Sequence, residues 1–365
     1  MKKIITVIGA RPQFVKAAVL SRLIRSEKWK DTFTEILLHT GQHYDQNMSE
    51  VFFSDMEIPK PDYNLNIGSG SHGKMTGQML IGIEEVILKE KPDMLLVYGD
   101  TNSTLAAALA ASKLHIAVAH VEAGLRSFWK YMPEEQNRIL TDHVSEYLFC
   151  PTLTAVKNLN AEGITNSVFH VGDIMYDANL YYMAKLQNEK EKGINRLLTI
   201  KKITTEIQKS GFVLVTIHRA ENTDDDKKLS EIINALNRLP INIILPLHPR
   251  TRKIIADRAY KLNSNIKLIE PVGYFEMLEL EQNCDLILTD SGGVQKEAYF
   301  MRKPCITLRD QTEWVETVES GWNVLAGTSS KSILDNFNNY IKPLSSPDYF
   351  GNGNAGDEIL NILKE

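Results

Sequence analysis

A chain of 365 residues, 43% apolar and 24% charged, is long enough for two α/β domains with separate cores and has the composition of a soluble globular protein. A net charge of −5 and a pI near 6.0 argue against a nucleic-acid partner and against a polybasic membrane-binding surface, so a negatively charged substrate needs a local cluster of cations. Cys150, Cys284 and Cys305 are far apart in apolar contexts, which excludes a disulfide framework and a zinc spacing and fits buried, reduced thiols in a cytoplasmic protein. No run approaches the ~18 apolar residues of a membrane span, so no membrane insertion is expected. The apolar run after Lys2 and Lys3 is too short for a signal peptide and is soon followed by Arg11; it reads as a first strand.

Short β-branched runs then alternate with amphipathic helical stretches, the pattern of parallel sheets covered on both faces. Strands are expected at 4–8, 34–39, 94–97, 117–120 and 147–150, with helices at about 12–26, 45–56, 73–89, 103–114 and 133–144. A second series opens near residue 170, with strands at 168–171, 212–216, 243–247, 266–269, 285–288 and 305–308. Helices are expected within it at about 173–187, 227–236, 250–259, 274–282, 293–300 and 312–320. A last helix at 355–364 has the pattern to pack back on the first domain. The expected fold is α/β: two Rossmann-like domains facing a central cleft at the carboxyl ends of their strands. The first takes residues 1–170 plus 352–365 and the second takes 171–351.

Chemistry concentrates at strand ends. Gly9-Ala10-Arg11-Pro12 places Arg11 just outside a helix opened by Pro12, with Lys16 one turn on, an anion site at the sheet's ligand edge. The segment 68–73 satisfies the dinucleotide pattern G-x-G-x-x-G but does not follow the first strong strand, so a glycine-rich loop is the better reading and no NAD is expected. Asp100 ends one strand, where an N-cap is the plainer role; Glu122 ends the next; Glu134 and Glu135 open a helix, where the dipole favours them. Taken together, Asp100, Glu122 and Glu134 bring three carboxylates to one sheet edge. Carboxylates gathered in a cleft push their pKa values apart, which suits one as base and another as acid.

In the second series, His218 with Arg219, and His248 with Arg250, sit at strand ends as candidate pyrophosphate donors. Pro271–Tyr274 could line a base pocket or form an ordinary turn. Asp290-Ser291-Gly292-Gly293 closes a strand and opens a helix, so unpaired N–H groups and the positive end of the helix dipole face whatever docks there. Glu297 lies about one and a half turns along, within reach of a ribose diol.

Over nearly its whole length the chain resembles the non-hydrolysing UDP-N-acetylglucosamine 2-epimerases. The likeness is carried by Gly9-Ala10-Arg11-Pro12, the stretches 99–104 and 120–126, Pro133-Glu134-Glu135, Asn137-Arg138, His218-Arg219, and Asp290-Ser291-Gly292-Gly293 with Gln295 and Glu297. The resemblance implies the glycosyltransferase-B architecture, a homodimer and a UDP-sugar substrate. It also implies a reaction without cofactor: a base takes the C2 proton as UDP leaves, and UDP re-adds to the 2-acetamidoglucal as a proton returns to the opposite face. By the same resemblance Asp100, Glu122 and Glu134 are the catalytic carboxylates. His218 and Arg11 lie near the pyrophosphate, Ser291, Gly292 and Glu297 in the UDP site, and Lys16 in the active site. His248 and Gly293 complete the candidate binding set.

Two departures stand out. Trp314 occupies the place of a family arginine, and Gln13 stands where a glutamate is common. With the stretches 48–53 and 59–63, they resemble the subgroup acting on UDP-2,3-diacetamido-2,3-dideoxyglucuronate, a more anionic sugar that calls for a compensating cation among Arg126, Lys130 and Arg138. The bacterial UDP-N-acetylglucosamine enzymes also carry an allosteric substrate site near Gln42-His43, whose arginine partner has no counterpart in 69–72. The competing readings are a glycosyltransferase of the same architecture, which has no need of three carboxylates, and a non-catalytic UDP-sugar sensor.

Overall fold

The computed structural model describes residues 1–41, 56–68, 70–200 and 203–365, with Arg11 described by its backbone alone. The helix expected at 45–56, the Gln42-His43 stretch and the 48–53 segment fall almost wholly outside those residues.

Two compact units divide the chain: Met1–Leu180 with Asp348–Glu365, and Tyr181–Pro347. The first runs β1 (Lys2–Ile8), α1 (Arg11–Ile24), β2 (Phe33–His39), β3 (Tyr63–Asn64), α2 (His72–Glu90), β4 (Met94–Tyr98) and α3 (Asn102–Lys113). It continues through β5 (Ala117–Val121), α4 (Pro133–Val144), β6 (Tyr147–Cys150), α5 (Leu153–Ala161), β7 (Val168–His170) and the first part of α6 (Ile174–Glu191), and ends with α15 (Ala355–Lys364). Its strands are all parallel, in the order β3-β2-β1-β4-β5-β6-β7. β4 reads Met-Leu-Leu-Val-Tyr and is buried at every position, as a strand covered on both faces must be. Small residues let the covering helices approach: Ala106, Ala107, Ala108, Ala110 and Ala111 of α3 are buried in the cluster that also holds Met79, Ile83, Val86 and Ile87 of α2. The last helix, α15, seats its Gly356 against Val19 and Leu23 of α1, where a Cβ would come within 3.0 and 2.7 Å.

After α6 the second unit carries a 3₁₀ turn (Arg196–Thr199), α7 (Thr205–Ser210), β8 (Phe212–Thr216), α8 (Ala220–Thr223), α9 (Asp226–Arg238), β9 (Asn242–Pro246) and α10 (Pro249–Asp257). Then follow β10 (Ile266–Ile269), α11 (Tyr274–Asn283), β11 (Leu286–Thr289), α12 (Gly292–Phe300), β12 (Cys305–Thr307), α13 (Val315–Glu319), β13 (Asn323–Leu325) and α14 (Ser330–Asn339). This sheet too is parallel, ordered β10-β9-β8-β11-β12-β13. Both units are therefore Rossmann-like α/β layers, with the strand order reversing beside β1 in one and β8 in the other.

One expectation is corrected. The run at 168–171 does not open the second series: Val168, Phe169 and His170 pair with Leu148, Phe149 and Cys150, so β7 closes the first sheet. Sequence order alone cannot say which sheet an edge strand joins. The short β3 and β13 and the helices α5, α7, α8 and α14 were not expected. Among the described residues, no helix is long and apolar enough to cross a membrane.

Candidate active site

In the first unit, β4 and β5 run side by side with Tyr98 opposite Val121, which brings Asp100 and Glu122 to adjacent strand ends. Asp100 is not the N-cap: Thr101 caps α3, its hydroxyl accepting from the Thr104 N–H at 3.3 Å. Asp100 is left to form an ion pair with the buried Arg138 of α4. Glu122 forms a buried ion pair with Lys16. Its backbone sits at φ 77°, a left-handed conformation costing a non-glycine residue ~1–3 kcal/mol. Two N–H groups hold it there, those of Glu122 and Ala123, both donating to the Phe149 carbonyl at 3.0 and 3.1 Å. Gly99, at φ 62°, must lack a side chain, since a Cβ would lie 3.1 Å from the Glu122 carboxylate and 3.3 Å from Lys16 Nζ.

Glu134 and Glu135 part company. Glu134 is exposed in the first turn of α4. Glu135 is buried and folds back to accept from the Ser127 N–H at 2.9 Å, the Ser127 hydroxyl at 3.0 Å, the Phe128 N–H at 2.8 Å and Arg138 at 2.7 Å. Arg138 thus ties Asp100 to the loop before α4.

Two further groups fix these turns. Gln13, buried in α1, accepts from the Gly9 and Ala10 N–H groups at 2.8 and 3.0 Å and donates to the Tyr98 carbonyl and the Thr104 hydroxyl at 2.9 and 3.0 Å. Only an amide supplies both the acceptor and the donors, which explains why glutamine stands here. The helix begins at Arg11, with Pro12 second rather than first. His120 is wholly buried between two acceptors, Asp142 Oδ1 at 2.7 Å and the Gly99 carbonyl at 2.8 Å. Asp142 also accepts from Arg126 at 2.7 Å and from the Gly124 N–H at 3.2 Å. Sequence reading missed Glu135, His120 and Asp142 because their partners lie up to 22 residues away.

Of the three cations considered for a uronate, Arg126 is buried on Asp142 and Glu162, and Arg138 on Asp100 and Glu135, while Lys130 is exposed. In the segment 68–73, a Cβ on Gly68 or Gly73 would meet nothing within 4 Å, so neither glycine is there for a close internal approach; Ser69 lies outside the described residues.

The second unit gathers N–H groups instead. Asp290, fully buried at the end of β11, accepts from the His218 and Arg219 N–H groups at 3.1 Å and from Asn222 at 3.1 Å, and its Oδ1 lies 3.1 Å from His218 Nδ1. Burial pushes its carboxyl up, but the His218 side chain and these N–H groups outweigh that and hold it below the usual range. His218 itself is exposed. Ser291 caps α12, accepting from the Val294 N–H at 3.4 Å. Gly292 packs closely: a Cβ would sit 2.4 Å from Glu313 Oε1 and 3.3 Å from the Trp314 indole nitrogen, so Glu313 would have to shift. Gly293 is exposed and open, leaving the first turn of α12 accessible to an anion.

Trp314 is buried beside this turn, and Lys296 Nζ lies 4.0 Å from the centre of its ring. Glu297 is buried. His248 is exposed and caps α10, its ring accepting from the Arg250 N–H at 3.3 Å, and Arg250 is tied to Asp224. At Pro271–Tyr274, Tyr274 is half-buried, its hydroxyl is buried, and its ring meets Tyr182 and Phe275 edge-on. Among the described residues, no cluster of His, Cys, Asp and Glu could hold a metal ion.

Residues 26–364 match the family described as UDP-N-acetylglucosamine 2-epimerase. The chain is 53% identical to a UDP-N-acetylglucosamine 2-epimerase homolog of Methanococcus maripaludis and 51% identical to the UDP-2,3-diacetamido-2,3-dideoxy-D-glucuronate 2-epimerase of Pseudomonas aeruginosa, each over 99% of both chains. Its fold matches the crystal structure of Methanocaldococcus jannaschii UDP-GlcNAc 2-epimerase in complex with UDP-GlcNAc and UDP, with a TM-score of 0.86 and 46% identity over 100% of this chain and 99% of that one.

Proposed function

This chain belongs to the UDP-N-acetylglucosamine 2-epimerase family, and from that premise we propose that it inverts C2 of a UDP-2-acetamido sugar by eliminating and re-adding UDP. The observation that carries the proposal is the pair of carboxylates at the neighbouring ends of β4 and β5, each fixed by its own buried cation.

In the first step a carboxylate takes the C2 proton. The C–H electrons form the C1–C2 double bond, and the C1–O bond breaks with its electron pair passing to the β-phosphate oxygen of the departing UDP. In the second, UDP oxygen re-forms the bond to C1 while a proton is delivered to the opposite face of C2. Handling protons on two faces needs more than one acid–base group, which Asp100, Glu122 and Glu134 provide. Lys16 and Arg138 hold two of them in place, and Arg11 is assigned to the pyrophosphate by the resemblance.

The second unit holds the leaving group. The Ser291 hydroxyl and the N–H groups of Gly292 and Gly293 receive phosphate, His218 and His248 stand at neighbouring strand ends, and Glu297 accepts from the ribose hydroxyls. The first unit, Met1–Leu180 with Asp348–Glu365, is read as the catalytic domain and the second, Tyr181–Pro347, as the UDP-binding domain. A homodimer and a cytoplasmic setting belong to the same proposal and rest on the resemblance.

UDP-2,3-diacetamido-2,3-dideoxy-D-glucuronate is the preferred substrate and UDP-N-acetylglucosamine the second, in service of surface polysaccharide synthesis. The preference is supported by Trp314 and by the 51% identity to the Pseudomonas aeruginosa enzyme. Incubating the protein in D2O with each sugar and no nicotinamide, and following C2 by NMR, tests the proposal. Deuterium at C2 of both epimers is expected; epimer formed without solvent deuterium would exclude the elimination.

A further inference from the structure

Four donors converge on a carboxylate to which the reaction gives no part. Glu135, buried in the first turn of α4, takes the Phe128 N–H on one oxygen at 2.8 Å. Its other oxygen takes the Ser127 N–H at 2.9 Å, the Ser127 hydroxyl at 3.0 Å and Arg138 Nη1 at 2.7 Å. The second arm of that guanidinium, Nη2, pairs with Asp100. Arg138 is itself buried, so one planar fork spans a buried carboxylate and a candidate acid–base group. Asp100 is half-buried, and the pair engages its Oδ2 while Oδ1 stays outside it.

The loop that Glu135 grips is fixed by hydrogen bonds more than by burial. Phe128, Trp129, Lys130 and Tyr131 are exposed, and Phe128 stands at φ 59°, a left-handed conformation disfavoured for a residue with a Cβ. Within the loop, the Met132 N–H donates to the Trp129 carbonyl at 3.0 Å, and Gln136 donates to the Lys130 carbonyl at 2.8 Å. The Ser127 and Phe128 N–H groups do something different: they anchor the Glu135 side chain on backbone. A line of direct contacts therefore runs from that backbone through Glu135 and Arg138 to the Asp100 carboxylate. The Asp100 main chain is tied to the same helix, its carbonyl accepting from Asn137 Nδ2 at 2.9 Å. An arginine side chain has many rotamers, and a second fixed acceptor narrows the plane its guanidinium can take.

We propose that Glu135 is a positioning residue of the epimerisation: anchored on the Ser127 and Phe128 N–H groups, it fixes the plane of the Arg138 guanidinium and through it the aim of the Asp100 carboxylate. This rests on the epimerase reading of the first unit. Glutamine at this place would set an NH2 group either against the Phe128 N–H or against the Ser127 and Arg138 donors. The anchor would slip and Asp100 would turn with the guanidinium. A misplacement of about 1 Å in a reacting group costs on the order of 10²-fold in rate.

The test uses the full chain and follows deuterium uptake at C2 of each UDP-sugar from D2O at saturating substrate. Glu135→Gln is expected to lower kcat about 10–100-fold with KM changed less than about threefold, the split that a misaimed acid–base group produces. In an Asp100→Asn background the same change should lower kcat less than about threefold, because the group it positions has already lost its function. Amide exchange read by mass spectrometry should show the Ser127 and Phe128 N–H groups protected in the unaltered protein and at least about tenfold faster in Glu135→Gln. Arg138→Lys keeps the charge without the planar fork and should lose kcat by about as much as Glu135→Gln.

Equal fold-losses from Glu135→Gln with and without Asp100 would mark a merely structural role and overturn the inference. So would kcat within twofold of the unaltered protein in Arg138→Lys, which decides the matter even if Glu135→Gln does not fold. An unaltered protein that protects the two amides yet takes up no deuterium at C2 would instead overturn the epimerase reading on which the role of Asp100 depends.

Discussion

Two buried aspartates, one in each unit, answer burial in opposite ways. Asp177 in the first accepts from the Ala355 and Gly356 N–H groups at 3.2 and 2.8 Å, at the start of α15. Asp290 in the second accepts from the His218 and Arg219 N–H groups. Burial pushes the Asp177 carboxyl up to about 6, with Asp173 and Glu358 adding to it. Asp290 is held below its usual value by the imidazole beside it. Both have N–H donors, so the difference lies in the charge of the neighbours. The same rule holds in the candidate site itself, where Asp100 and Glu122 are each held by a cation. One scaffold thus presents fixed anions at one set of strand ends and N–H groups for a bound anion at the other.

The sharpest way to break this contrast is to neutralise a carboxylate of the first unit. Asp100→Asn is expected to lower kcat by about 10²–10⁴-fold, the usual worth of a positioned acid–base group, with UDP affinity unchanged in calorimetry. Next comes the aspartate pair. Asp177 has a folded pKa above its unfolded value, so its contribution to stability is fully present below about pH 4 and is lost as pH rises through about 6. The shift from 3.8 to about 6 corresponds to about 3 kcal/mol across that window. Asp290 has the opposite sign: its contribution is present above the usual carboxylate value and fades as pH falls through the lowered one. Thermal denaturation between pH 4 and 7.5 should therefore show Asp177→Asn flattening a decline with rising pH, and Asp290→Asn doing no such thing.

A smaller effect is expected at Gln13. Replacing it by glutamate sets a carboxylate against the Tyr98 carbonyl and removes a donor from it, costing about 1–3 kcal/mol of stability in denaturant titrations. The smallest concerns Lys130, the exposed cation in the loop before α4. Lys130→Ala should raise KM for the diacetamido-uronate about twofold to fivefold and leave KM for UDP-N-acetylglucosamine unchanged, within the ~1 kcal/mol that an exposed charge pair provides.

The alternation of buried strands and amphipathic helices was legible in the sequence because apolar runs such as Met94–Tyr98 have no other stable home. What escaped was what sequence distance hides. β7 was assigned to the wrong series because its partner β6 is known only from pairing. β3 and β13 are too short, at two and three residues, to leave a periodic signal. At the candidate site, the residue types at strand ends marked Asp100, Glu122 and Ser291, but not what holds them. Gln13 was visible only as a departure from a family pattern, and its four hydrogen bonds explain it. Glu134 and Glu135 looked alike as first-turn acids until one proved exposed and the other turned back on Ser127 and Phe128. The resemblance named the reaction; the ion pairs came from tertiary packing alone.

The division of labour between the units is tested most directly by C2 deuterium exchange at saturating substrate, measured side by side in Glu122→Gln and Glu297→Gln. Loss of exchange in the first is expected, with the second retaining most of it at a raised KM. Equal loss of exchange in both, or full exchange in Glu122→Gln, would contradict the separation of proton transfer from nucleotide binding.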